Sequence, residues 1–225
     1  MSSDVAVAPL TESRRFFLKT WHIFLLVLAA NLVLTYLFNT RFLTRDVYYH
    51  LLSDRLDTER IDMYFDLLHK VSLWGYLAQP LLLWIRISFV VLLIQMPLLL
   101  FWVDIPYRKL FRIVTTAHVA MIASSLSQVV WLACLEPTRI TQGALSRIPL
   151  SVNSFLDPAN YPVTAYAILG KVNIFEVIWC ILIYKGLAAT EKLKKDYTAL
   201  LVFALWTMLL LFQWGISAYL NGVNS

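Results

Sequence analysis

Apolar positions run along this chain in long blocks, and charged residues gather between the blocks. A helix needs about 20 predominantly apolar residues to cross the hydrocarbon core of a bilayer. On that measure the pattern predicts membrane spans at about 16–38, 81–103, 110–135, 172–187 and 197–220. The fourth is short, and the stretch YPVTAYAILGKV before it is also largely apolar, with Lys171 as an interruption. Between the first two blocks the pattern becomes amphipathic. Tyr48, Leu51, Leu52 and Leu56 share one helical face, and Ile61, Phe65 and Leu68 share another, with Asp46 and Asp57 placed as N-caps. This predicts outer-side helices over about 46–78, lying against the membrane surface or the bundle. The segment from about 136 to 166 holds Pro137, Pro149, Pro158 and Pro162, with a turn signal at Asp157–Pro158, and reads as a loop. The expected fold is all-α: a single integral membrane domain over 1–225, a helical bundle of about five transmembrane helices plus amphipathic outer-side helices.

Composition points the same way. The chain is 60% hydrophobic and only 15% charged, against roughly 45–50% and about 25% in a soluble domain. Charge then sets orientation. The segments SRRFFLK, YRKLFR and KGLAATEKLKK carry Arg14, Arg15, Lys19, Arg108, Lys109, Arg112, Lys185, Lys192, Lys194 and Lys195. Their alternation with mixed-sign segments predicts a cytoplasmic N-terminus and an outside C-terminus. The basic pI of 9.2 is therefore a topology signal at the membrane edges, and no nucleic-acid partner is expected. Trp21, Trp84, Trp102 and Trp131 fall near span ends, where tryptophan anchors a helix at the interface. Cys134 and Cys180 lie in apolar runs with no CxxC or Cys/His spacing, and read as small buried hydrophobes.

Against this background ionisable residues inside spans carry the chemical interest, because they pair with one another or face water. Glu176 interrupts the run VNIFEVIW, and Arg86 interrupts LLLWIRISF at a matching depth. A structural bridge between them is the first expectation, and a polar pathway for a proton or solute is the second. The third span carries Thr116, Ala120, Ser124 and Gln128 at four-residue spacing, with Ala117, Ala123 and Ser127 beside them. Small and hydroxylated residues let helices approach and bond across the contact, so this is a packing face or the wall of a pathway. His22 and His118 stand near the cytoplasmic edge on the first and third spans, an arrangement that could hold a haem. Glu59, Asp62, Asp66 and His69 follow 3, 4, 3 spacing on one helix face. That face could ligate a divalent cation, or it is a solvated surface with Asp66–Lys70 as an i,i+4 pair. Apart from the haem alternative, no cofactor is called for. The chain has no GxSxG, HExxH, Walker or dinucleotide motif, which argues against an enzyme.

The stretch LGKVNIFEVIWCILIYKGLAATEKLKKDYTALLVFALWTMLLL resembles the last two spans of the Yip-domain family. The matching positions are Asn173, Ile174, Phe175 and Trp179 at the start of the fourth span, Gly186 and Leu187 at its end, and Lys192, Lys194 and Lys195 in the basic loop. The resemblance implies five spans, a cytoplasmic N-terminus and, as in bacterial members, a membrane scaffold or accessory role. The charged segment from Asn39 to Lys70 departs from the family, as does the missing Tyr–Asp–Leu–Tyr–Gly–Pro motif. The GTPase-binding activity of eukaryotic members is therefore not carried over. Two functions are expected from these residues: an accessory subunit held by lipid and by other membrane subunits, or a small transporter or transporter subunit working through Arg86 and Glu176. A haem-binding redox subunit through His22 and His118 is the remaining alternative.

Overall fold

A computed structural model describes residues 10–53, 57–135, 142–156, 161 and 163–223, and these are almost wholly helical. The order is α1 (Leu10–Phe42), α2 (Arg45–Leu52), α3 (Thr58–Leu100), α4 (Tyr107–Ala117), α5 (Val119–Ala133), α6 (Gln142–Ser146), a 3-10 turn (Val152–Phe155), α7 (Val163–Leu169), α8 (Ile174–Ala188) and α9 (Lys195–Val223). Among the described residues the extended pairing is a single bridge, Ser151 to Asn173. Leu56, Pro137, Pro158 and Pro162 lie outside the described residues.

Among the described residues, four helical stretches are long and apolar enough to cross a membrane: Thr20–Phe42, Thr58–Leu100, Tyr107–Ala133 and Lys195–Tyr219. The expected count of five is corrected to four. The block at 172–187 forms α8, whose 15 residues cover about 22 Å at a rise of 1.5 Å each, against a hydrocarbon core of about 30 Å. Its start is pinned. Asn173 is extended (φ −138°, ψ 165°) and caps α8, while Val172 O accepts from Val152 N at 2.9 Å. The apolar residues upstream form the separate helix α7 and cannot lengthen α8.

A second difference concerns the outer segment and second span, which are one helix. α3 runs 43 residues, about 64 Å, through both Pro80 and Pro97. A proline within a helix forfeits one backbone hydrogen bond, and neighbouring helices compensate for that loss in a bundle. Beside Pro80, side chains tie α3 to α1, with Gln79 Nε2 donating to Thr35 Oγ1 at 3.2 Å and Asn39 Nδ2 to the Tyr76 hydroxyl at 2.8 Å. The capping expectation holds in place at Asp57, which is the N-cap residue of α3, but α2 is preceded by Thr44, with Asp46 in its first turn. Neither N-cap side chain bonds the helix end.

Inward faces follow helical spacing. Leu83, Ile87, Val90, Val91, Ile94 and Leu98 of α3 are buried, as are Trp179, Ile183 and Leu187 of α8. With Phe24 and Val27 of α1, Val114 and Ala117 of α4, and Val202 and Leu205 of α9 they make one core. The outer faces are equally apolar, with Leu26, Leu92, Leu100 and Leu200 exposed. Apolar surroundings remove the hydrophobic drive between helices, so fit decides packing.

Fit is tightest where α8 crosses α4. A Cβ built on Gly186 would stand 2.5 Å from Ile113 Cγ2 and 3.1 Å from Ile113 Cγ1. Gly186→Ala is therefore expected to cost about 1–3 kcal/mol through overpacking, read as a lower melting temperature of the detergent-purified protein. Adding Ile113→Ala should return part of the loss, since it removes both crowding carbons. An additive double variant would show that this contact does not limit the packing.

Candidate functional site

Glu176 occupies the third position of α8, and the local chemistry explains how it is aimed. The Asn173 side chain accepts from Glu176 N at 2.9 Å, which satisfies one of the free N–H groups of the helix start. The Glu176 side chain does not turn back to the cap. Its Oε2 accepts from Trp206 Nε1 of α9 at 2.9 Å. The residues after Asn173 thus point the carboxylate across the bundle, between α8 and α9.

There it faces a cavity of about 290 Å³ lined by residues of α3, α4, α8 and α9 together with His118 at the α4–α5 junction. Its polar walls are Arg86, His118, Glu176 and Gln213. Arg86 and Glu176 influence one another electrostatically across it. No direct ion pair, with nitrogen and oxygen within 4.0 Å, joins them. Arg86 is exposed, whereas His118 is buried. Gln213 Oε1 is buried and has no hydrogen-bond partner. A cation, a carboxylate, an imidazole and an unsatisfied amide oxygen therefore share one hollow inside an apolar bundle.

The third span is interrupted at this place. His118 separates α4 from α5, with φ −61° and ψ −16°. Its N–H reaches both Val114 O (3.0 Å) and Thr115 O (3.2 Å), and its carbonyl accepts from Met121 N (2.9 Å) and Ile122 N (3.2 Å). This mixture of three- and four-residue bonds tightens the turn without any Gly or Pro. Hydroxyls on either side bond back into the helix, Thr115 to Phe111 O at 2.7 Å and Ser125 to Met121 O at 3.2 Å, a habit that bends helices.

Other expected sites fare differently. His22 is exposed on α1 and does not line the cavity that holds His118, so the two histidines occupy different environments. The stripe on the third span is divided by the break: Ala120 is buried, Thr116 is exposed and bonds Arg112 O, Ser124 is half-buried, and Gln128 Nε2 donates to Leu145 O at 2.7 Å. Thr116 thus bonds within its own helix, and Gln128 ties α5 to α6. On α3, Asp62 and Asp66 turn toward Arg45 of α2 at 3.4 and 3.2 Å, and Tyr49 donates to Asp62 at 2.8 Å. That hydrogen bond holds the Tyr49 phenol above its ordinary ionisation range, so it stays a donor at neutral pH. His69 stacks on Phe65, and Glu59 is exposed. Among the described residues no three His, Cys, Asp or Glu side chains gather as a metal site. The acidic face serves instead to clasp α2 onto α3, with the Arg45 guanidinium 5.3 Å above the Phe65 ring.

Sequence reasoning missed two members of the cavity, His118 in this role and Gln213, and also Trp206 as the partner of Glu176. Gln213 does carry a signal, since it is an amide within the apolar run LLLFQWGIS. Comparison with known protein families, curated proteins and solved structures yields no match.

Proposed function

We propose that this is a multi-pass protein of a bacterial cytoplasmic membrane, N-terminus inside, acting as a small transporter or transporter subunit whose path passes Arg86 and Glu176. One observation carries the proposal: the two opposite charges face a common cavity without closing on each other. A pair that served only to hold α3 against α8 would gain most by contact, since an open charge inside a membrane protein is costly. The test is proton flux into liposomes holding the purified protein and a pH-sensitive dye, driven by a potassium diffusion potential. Wild type is expected to exceed empty liposomes clearly. Glu176→Gln, which keeps an acceptor for Trp206, should fall to the empty-liposome rate at equal protein content. Equal flux in both would remove Glu176 from the path.

A second reading, an accessory subunit, has its own observation. α3 is about twice the length that a bilayer core requires, and its outer half exposes Tyr64, Leu67, Val71, Trp74 and Leu77 as one apolar stripe at helical spacing. Such a stripe suits another membrane subunit, as the Yip-domain resemblance implies. In that resemblance Asn173 and Gly186 act as a cap and a close-contact residue, which are packing roles. A stoichiometric partner retained from native membranes in mild detergent, and lost on Trp74→Glu, is the expected mark of this role. A partner retained equally by both proteins would place the contact elsewhere.

A further inference from the structure

The cavity around Arg86 does not end at its polar walls. Phe89 of α3 and Phe212 of α9 stand with ring centroids 6.1 Å apart, and they are 41% and 56% exposed. They stand beside the exposed edge of the cavity on the outer surface of the bundle, between α3 and α9. Phe212 and Ile216 line the cavity and also line an apolar groove along α9 that continues over Leu211, Gly215 and Tyr219. A Cβ added at Gly215 would meet nothing within 4 Å, so the groove is open over that residue. A polar hollow thus shares Phe212 and Ile216 with a shallow apolar strip on the outer surface of α9.

We propose that the two together take one anionic amphiphile: a phosphodiester headgroup bearing hydroxyls in the cavity, and an apolar chain along the α9 groove. The inference rests on the cavity reading above and names the class of molecule it handles. Four observations converge on that chemistry. Arg86 has no carboxylate within ion-pair distance, because Glu176 is held by Trp206. A planar guanidinium suits a phosphate with two free oxygens. Gln213 lines the cavity and its Oε1 is a buried acceptor with no donor, which a headgroup hydroxyl would supply once the amide turns toward the hollow. A space of about 290 Å³ holds a headgroup but not the acyl chains, and its exposed edge beside the packed Phe89–Phe212 pair, at Arg86 and Ile216, lets the chains remain outside. Glu176 sets the charge state. A second negative charge beside it would be repelled, so a singly charged diester is preferred over a doubly charged monoester.

The same phosphate chemistry could arrive on a membrane lipid or on a water-soluble ester, and the groove assigns it to the lipid. The experiment is native mass spectrometry of the detergent-purified protein, titrated separately with phosphatidylglycerol, phosphatidylcholine and free glycerol phosphate. Wild type and the surface variant Lys194→Gln should each retain one phosphatidylglycerol and discriminate against phosphatidylcholine. Arg86→Gln and Gly215→Leu should each weaken that retention by about tenfold or more, the first by removing the cation and the second by filling the groove. Free glycerol phosphate should not bind at lipid-like concentration. Three results would overturn the inference. Wild-type retention in Gly215→Leu would do so even if Arg86→Gln fails to fold. Arg86-dependent binding of glycerol phosphate, indifferent to Gly215→Leu, would assign the cavity to a water-borne solute and leave the transporter reading standing. Binding of lipid and ester that is unaffected by Arg86→Gln would remove both.

Discussion

Replacing Glu176 by leucine is expected to lower the melting temperature and the membrane abundance of the protein, and adding Arg86→Leu is expected to restore much of both. The single change has two consequences. It leaves the Trp206 N–H without its acceptor, and it leaves the Arg86 cation without a compensating charge in its cavity. Removing one member of a buried ionic arrangement costs about 3–5 kcal/mol where the pair is in contact. Across an open cavity about 2–4 kcal/mol is the corresponding expectation, since water screens part of the interaction. The double variant converts the polar walls to apolar ones within an apolar bundle, so the electrostatic part of the loss disappears and only the Trp206 part remains. The measurement is a double-mutant cycle on melting temperature in detergent, with abundance read in parallel. A double variant no better than Glu176→Leu alone would show that the two charges do not act on each other. Proton flux separates the roles further. A structural bridge predicts that a recovered double variant recovers function, whereas a path through the charges predicts a stable and inactive protein.

That two-way outcome reflects what the sequence could convey. Matched depth in two spans was enough to bring Arg86 and Glu176 to one place, because a helix rises by a fixed 1.5 Å per residue. Depth carries no information on azimuth, however. In a bundle whose outer faces are as apolar as its core, hydropathy does not say which side of a span faces inward. His22 and His118 read as similar in depth, but Phe24 packs on Phe111 and Phe42 clusters with Leu132, so α1 runs alongside the third span with His22 near the start of α4 and His118 about two turns further along, in the cavity. The break at His118 was invisible because it uses hydroxyl back-bonding and mixed turns, and no Gly or Pro marks it. The opposite error occurred at Pro80, where a helix breaker lies inside a continuous helix. Long apolar runs gave α1, α9 and the membrane portion of α3 plainly. The 172–187 block gave a helix at the right place, but its tie to the loop at Leu150–Val152 comes from pairing distant in sequence, which periodicity does not record. The Arg45 contacts that occupy Asp62 and Asp66 are likewise set by the fold of α2 onto α3.

The other large effect is all-or-none and concerns sidedness. The α3–α4 and α8–α9 connections are joined directly, since Lys192 Nζ donates to Asp104 O. Gly186 packs on Ile113, so the end of α8 lies beside the early turns of α4. Both connections must therefore emerge on one face, which α8 reaches although it is too short to count among the four full-length spans, and basic residues flank both, with Arg108 and Lys109 opening α4 and Lys192, Lys194 and Lys195 leading into α9. With Cys134 and Cys180 first replaced by Ser, Asp104→Cys and Lys194→Cys are expected to react with an impermeant maleimide only after the cells are opened. Asp57→Cys, at the far end of α3, is expected to react on intact cells. Labelling of Lys194→Cys together with Asp57→Cys would contradict the joined loops and the packing of α8 on α4. The result also fixes the depth of the site. Glu176 precedes Gly186 by ten residues, about 15 Å along α8, which places the carboxylate near mid-membrane when Gly186 is near the inner edge. A carboxylate at that depth is at its most costly unless the cavity admits water or a ligand. Sidedness, the unclosed Arg86–Glu176 arrangement and the exposed lateral edge therefore test one physical claim: the cavity exists because something polar enters it.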